Sequence, residues 1–172
     1  MFNMIIYLLI ISCCGLFGLL KSMKYSIRLE QLKDLTESLS ILESEMKYRR
    51  DPLPETLERI SKYKSNSASD FFSLVSEILK ENRTCSMIEC WCKAVNECYG
   101  KTSLKDEDLE VIKDIGLELG KSDISGQSNM FLRVLKRMEV CCAEAGCEKS
   151  TKGKMYKSMG ITVGVVIVII LI

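Results

Sequence analysis

The chain has no histidine in its 172 residues. That absence removes imidazole acid-base catalysis and every mixed His/Cys zinc site. Charge is missing from both ends: neither 2–20 nor 158–172 contains Asp, Glu, Lys or Arg, so all 24 Lys/Arg and all 23 Asp/Glu fall between Lys21 and Lys157. Strand signals are scarce, with no sustained period-two alternation before the tail. A basic stripe interleaved with aromatics is also lacking, which argues against nucleic acid as a partner. Nine cysteines are present, but none forms a Cys-x-x-Cys pair, and the adjacent Cys141 and Cys142 would point about 100° apart on a helix. Small apolar residues near a helix core is the plain reading of these thiols; a metal site, a disulfide or a redox switch is the sharper alternative.

What is present begins with the two apolar ends. A bilayer core takes about 20 apolar residues in helical form, because buried peptide groups must bond to each other. Residues 2–20 span roughly 28 Å as a helix. With no positive start and no Ala-x-Ala before Lys21, this segment reads as a retained anchor and not as a cleaved signal. Residues 158–172 give roughly 22 Å, extended to about 27 Å if the helix starts at Met155 and Lys157 reaches back to the headgroups. Val163 to Ile172 is apolar on every face, which favours a spanning helix over an interfacial one. Lys21, Lys24 and Arg28 follow the first span; Lys149, Lys152, Lys154 and Lys157 precede the second. The positive-inside rule then puts residues 21–157 in the cytoplasm and both termini outside.

The polar stretch 21–157 is long enough for one core, is nearly charge-neutral, and reads as helices. Leu29, Leu32, Leu35, Leu39, Leu42 and Met46 make one stripe that continues the first span. Asp51, followed by Pro52 and Pro54, is expected to cap a second helix. Residues 64–69 read as a loop, with a third helix over 70–82. Ser86-Met87-Ile88-Glu89 has the form of a capping box for a fourth, which ends at Gly100. Ser103 to Asp106 signals the start of a fifth, closed by Gly120. A sixth begins near Ser125 or Gln127, with Phe131, Val134, Met138, Cys141 and Ala145 on a heptad-like seam. The expected fold is all-α: a cytoplasmic bundle of about six helices (21–157) flanked by transmembrane helices at 2–20 and 158–172.

Few motifs carry chemistry. Gly116-Leu117-Glu118-Leu119-Gly120-Lys121-Ser122 superficially matches a phosphate loop, but has three residues between the glycines where four are needed and follows no strand. No cofactor or catalytic residue is indicated. Gly160 and Gly164 have the small-xxx-small spacing of close helix packing, with Cys14 and Gly18 as a weaker counterpart in the first span. The spans could thus pack on each other or on partners, and homo-oligomers stay open. Glu43 lies roughly 55° from the centre of the first stripe, where a carboxylate takes an internal cation or a partner. Asp123 and Gln127 either cap the sixth helix or meet a partner. Arg49 and Arg50 sit at a turn, either solvated or facing an acidic surface.

Three stretches together resemble the stage III sporulation protein AB family. They are Leu39-x-x-Leu42-Glu43-x-Glu45-Met46-x-Tyr48-x-x-x-Pro52-Leu53, then Gly116-x-x-Leu119-Gly120-x-x-Asp123-x-x-x-Gln127, then Lys154-Met155-Tyr156-x-x-Met159-Gly160-x-x-x-Gly164. The resemblance covers essentially the whole chain. It implies a protein of endospore-forming bacteria, in the mother-cell membrane around the forespore and within the assembly joining the two cells. It also implies a helical domain similar to those of the type II secretion platform protein. Such a domain would dock a secretion-type ATPase, stage III sporulation protein AA, to other membrane components of the channel, without catalysis of its own. A membrane-tethered thiol-redox regulator is the rival expectation.

Overall fold

In the computed structural model, residues 2–49, 51–63, 66–81, 85–100, 102–119 and 124–171 are described, the side chains of 2, 3 and 124–128 excepted. The fold is all-α, and the described residues contain no strand. The helices are α1 (Phe2–Tyr48), α2 (Leu53–Ser61), α3 (Ser67–Glu81), α4 (Met87–Tyr99), α5 (Asp106–Leu119), α6 (Ile124–Glu148) and α7 (Lys154–Leu171), with a π-helical turn at Lys149–Gly153 between the last two. At its length α1 extends for about 70 Å, so the first span and the stripe Leu32, Leu35, Leu39 and Leu42 belong to one helix. Two compact units are built from these helices: Met1–Leu29 with Ala143–Ile172, and Glu30–Cys142.

The unit Glu30–Cys142 is a water-driven core. Its α1 stripe is fully buried, as are Leu57 of α2 and Phe71, Phe72 and Val75 of α3. Consecutive helices pack on one another from α2 to α5. Phe71 sits edge-on to Trp91 with centroids 4.8 Å apart, and Phe72 and Tyr99 complete the cluster. Such edge-to-face pairs add to the stabilisation from area burial. The polar ends of these rings are satisfied: Trp91 Nε1 donates to the Ile112 carbonyl at 2.7 Å, and the Tyr99 hydroxyl donates to the Ser67 carbonyl at 3.2 Å. Burial pushes the Tyr99 phenol far above its ordinary pKa.

Local signals set most helix starts. Ser86 and Glu89 close a reciprocal capping box at α4, with Glu89 N–H on Ser86 Oγ at 3.3 Å and Ser86 N–H on Glu89 Oε2 at 3.1 Å. Three expectations need correction. Asp51 does not cap α2; Pro52 stands at that position without a side-chain bond, and Asp51 instead accepts from Arg59 at 2.8 Å. Residues 67–69 are not loop: Asn66 Oδ1 accepts from Ser69 N–H at 2.9 Å, an Asx cap that starts α3 three residues before Asp70. At α5 the cap is displaced by two residues, since buried Asp108 accepts from Lys105 N–H at 2.9 Å while Thr102 Oγ1 turns back to the Tyr99 carbonyl.

Gly116 has a structural role that its phosphate-loop setting concealed. It lies inside α5, and a Cβ there would stand 2.3 Å from Trp91 Cγ. The indole therefore lies across Gly116 and bonds the carbonyl four residues earlier. Gly120 to Asp123 lie outside the described residues.

On the surface, Glu58 of α2 accepts from Lys62 at 2.7 Å and also from Lys80 of α3. The hydrogen bonds from these two ammonium groups, then their charges, hold the Glu58 carboxyl down to about 2. A depressed carboxylate stabilises the fold above its ordinary pKa, and that contribution is lost as pH falls through the folded value. Carboxyl NMR titration should therefore show Glu58 ionised down to about pH 2, and moved toward the ordinary glutamate value in Lys80→Met. Gly116→Ala should lower stability by about 1–3 kcal/mol in thermal or denaturant unfolding, despite the better helix propensity of Ala, because the added methyl overpacks against Trp91.

Candidate functional site

In the unit formed by Met1–Leu29 and Ala143–Ile172, the two apolar helices meet backbone to backbone. A Cβ on Gly18 would lie 2.6 Å from the Tyr156 carbonyl oxygen and 3.0 Å from Gly160 Cα; one on Gly160 would lie 2.8 Å from the Cys14 carbonyl oxygen. Gly164 is buried, and its Cβ would approach Ile11 Cα at 3.1 Å. Gly160 and Gly164 thus lie on the face of α7 turned to α1, with Cys14 and Gly18 opposite. Helices in lipid gain little from apolar burial against each other, so small residues that permit close approach supply the dispersion contact. The outward faces carry Leu8, Leu9, Leu16, Phe17, Ile169 and Ile170, all exposed. Both apolar segments lie in helices long and apolar enough to cross a membrane.

The polar end of this unit is built around one buried cation. Arg28 is only 3% exposed and donates to Glu148 at 2.7 Å. Glu148 also takes Lys152 at 2.6 Å, and that hydrogen bond, then the charge, pushes the Lys152 ammonium up. A turn nearer the apolar segments, Tyr25 stacks on Tyr156 with centroids 6.0 Å apart and rings 14° from parallel. Between Glu148 and Tyr156 runs the π-turn. The Ser150 and Thr151 hydroxyls both donate to the Cys147 carbonyl, at 2.9 and 2.7 Å, competing with the regular helical bond at that point. The wider i→i+5 turn brings Glu148 and Gly153 closer to one face than an α-turn would. Gly153 is buried there against Ser22 and Tyr25.

In the unit Glu30–Cys142, the sequence-predicted contact residues gather only in part. Glu43 is half-buried and has no ion pair among the described residues. Its neighbour Glu45 carries the network: Arg59 of α2 reaches it at 3.0 Å, Arg49 at 3.5 Å, and the Tyr63 hydroxyl donates at 3.4 Å. Arg49 stays 58% exposed, and beside it Tyr48 is 79% exposed, with Tyr63 also open to solvent. Glu45 stood in the first quoted motif, but nothing in helical periodicity pairs it with a residue fourteen positions later. Arg50 and Asp123 lie outside the described residues, as does the side chain of Gln127.

Among the cysteines, Cys85 and Cys90 lie in side-chain contact at the start of α4. All nine are free thiols, and the described residues hold no group of three or more metal-ligating side chains. Burial pushes the Cys90 and Cys98 thiols up, away from the reactive thiolate. Cys142 lies 3.6 Å from the Thr36 hydroxyl and packs as a small polarisable group between α6 and α1.

Removing Arg28 takes the buried cation from Glu148 and leaves the Lys152 contact in place. Arg28→Met should therefore destabilise the protein by about 1.5–3 kcal/mol, the loss of one hydrogen bond between charged groups, and Arg28→Met with Glu148→Met should restore part of it. Thermal unfolding of the detergent-solubilised chain, followed by circular dichroism, reads both.

The family described as stage III sporulation protein AB matches residues 3–172. The stage III sporulation protein AB of Bacillus subtilis (strain 168) is 29% identical over 147 residues, which covers 86% of this chain and 85% of that protein. A solved structure of a stage III sporulation protein AB superposes with a TM-score of 0.67 at 27% identity, covering 73% of this chain and 98% of that one. With a match running from residue 3 to residue 172 and a shared helical fold, this chain belongs to the stage III sporulation protein AB family.

Proposed function

We propose that this sporulation protein is a two-pass membrane platform that catalyses nothing itself and docks a secretion-type ATPase to the membrane. In this reading 2–20 and 158–172 cross the mother-cell membrane around the forespore. The helical unit lies in the mother-cell cytoplasm, and the ATPase is of the stage III sporulation protein AA kind. The observation that carries the reading is the apolar hairpin: α1 and α7 pack glycine to glycine and end in cations. Lys21, Lys24, Lys154 and Lys157 are exposed there without an ion pair among the described residues, which supports a cytoplasmic domain by the positive-inside rule.

The corner between α1 and α2 is the surface that best suits a partner. Exposed Tyr48 and Tyr63 flank Arg49, and Tyr and Arg are the residue types that dominate interface energetics. Glu45 and Arg59 anchor that corner from beneath, so its side chains are presented from a fixed base.

Co-purification of the full detergent-solubilised chain with the cognate ATPase tests the reading. Complex formation is expected, with Tyr48→Ala plus Arg49→Glu weakening it at least about tenfold, as loss of two central contacts does. No association at micromolar concentrations would remove the platform reading. Replacing all seven cysteines of residues 21–157 with Ala or Ser should leave the complex in place; its loss with retained helicity would favour the redox regulator.

A further inference from the structure

Along the α1–α7 contact runs a groove of about 430 Å³, within the range of specific ligand sites. Gly18 and Gly160 form its floor, because their missing side chains leave a trough where the helices cross. Phe17 and Val163 stand as its walls, and Lys21 with Tyr156 closes one end. From Cys13 to Lys21 the trough extends roughly 12 Å, enough for about half of an oleoyl chain, and the lining is apolar except at that end.

The closing end selects the occupant. Lys21 has no acidic partner among the described residues, nor does the Tyr156 hydroxyl make a hydrogen bond there. Glu148, the acidic group nearest in this unit's network, is already engaged by Arg28 and Lys152. A second copy of the hairpin would bring its own Lys21, Lys154 and Lys157 against these cations, and like charges so placed oppose association. A zwitterionic lipid would bring its own ammonium beside Lys21. A phosphodiester with a net negative headgroup matches the site in shape and charge.

We propose that this groove holds the headgroup-proximal half of one acyl chain of an anionic phospholipid, with its phosphate between the Lys21 ammonium and the Tyr156 hydroxyl. The inference rests on the membrane reading above and adds a specific lipid class and the residues that choose it.

Native mass spectrometry of the full chain in mild detergent tests it, with dioleoylphosphatidylglycerol and dioleoylphosphatidylcholine offered in equal amounts. The chain should retain the phosphatidylglycerol at least about fivefold better, the effect of one lysine at an anionic headgroup. Lys21→Gln should abolish that preference, whereas Lys149→Gln, which removes the same charge outside the groove, should preserve it. Val163→Trp or Cys13→Phe should fill the trough and lose the adduct at unchanged net charge, with circular dichroism confirming the helices. Equal retention of the two lipids by the unaltered chain would overturn the proposal. So would equal losses in Lys21→Gln and Lys149→Gln, which would mark diffuse attraction to a basic collar, or an adduct that survives both filling variants. Flotation with phosphatidylcholine vesicles separates the two levels. A chain that does not float refutes the membrane reading, and one that floats without lipid preference refutes the groove alone.

Discussion

Backbone contact at Gly18, Gly160 and Gly164 governs the apolar half of the molecule. Inside a bilayer the peptide groups are satisfied within each helix, and side chains gain little by leaving lipid for one another. What remains is dispersion, which falls off steeply with separation. A methyl at Gly18 would overlap the Tyr156 carbonyl and force the helices apart. The same separation would pull Tyr25 from Tyr156 and lengthen the Arg28–Glu148 bond, since both pairs depend on the spacing of α1 from the last helical segment. The π-turn fits the same requirement: it keeps Glu148 and Gly153 on the face that meets α1 while the chain passes from polar to apolar sequence.

The unit Glu30–Cys142 obeys different physics. Its helices pack in chain order from α2 to α5, and water drives that packing through buried leucines and one aromatic cluster. Several polar groups drawn into this core are matched individually, while Gln31 Oε1 and Ser67 Oγ are buried without a hydrogen bond among the described residues. Ser76 donates to the Pro54 carbonyl at 2.8 Å, and Trp91 donates to that of Ile112. This economy of matched groups is what lets small helices with short connections hold one arrangement.

The all-α fold and the long first helix were legible in the sequence because charge segregation and three-four spacing are local signals. The α4 capping box was legible for the same reason, its two partners being three residues apart. Asp51 was misread because an aspartate before prolines has the cap signature, while the competing partner, Arg59, lies a full helix away. Residues 67–69 were misread because Asn and Ser serve loops and caps alike. At the candidate site, the spacing of Gly160 and Gly164 and its counterpart at Cys14 and Gly18 were visible, but spacing alone left open whether the spans meet each other or outside partners. Glu45 was hidden behind Glu43 because facing a stripe says nothing about which cation folds back to it. Gly116 gave the most misleading signal: it stood in a near phosphate-loop string, and only the indole across it explains the glycine.

Trp91 is the chain's single tryptophan, and it is fully buried with its N–H on the Ile112 carbonyl. Its fluorescence therefore comes from one place, the seam between α4 and α5. Emission at short wavelength reports that seam closed and dry; a shift to the red would report water reaching Gly116. The protein thus carries its own optical probe of whether those two helices part when the domain engages another molecule.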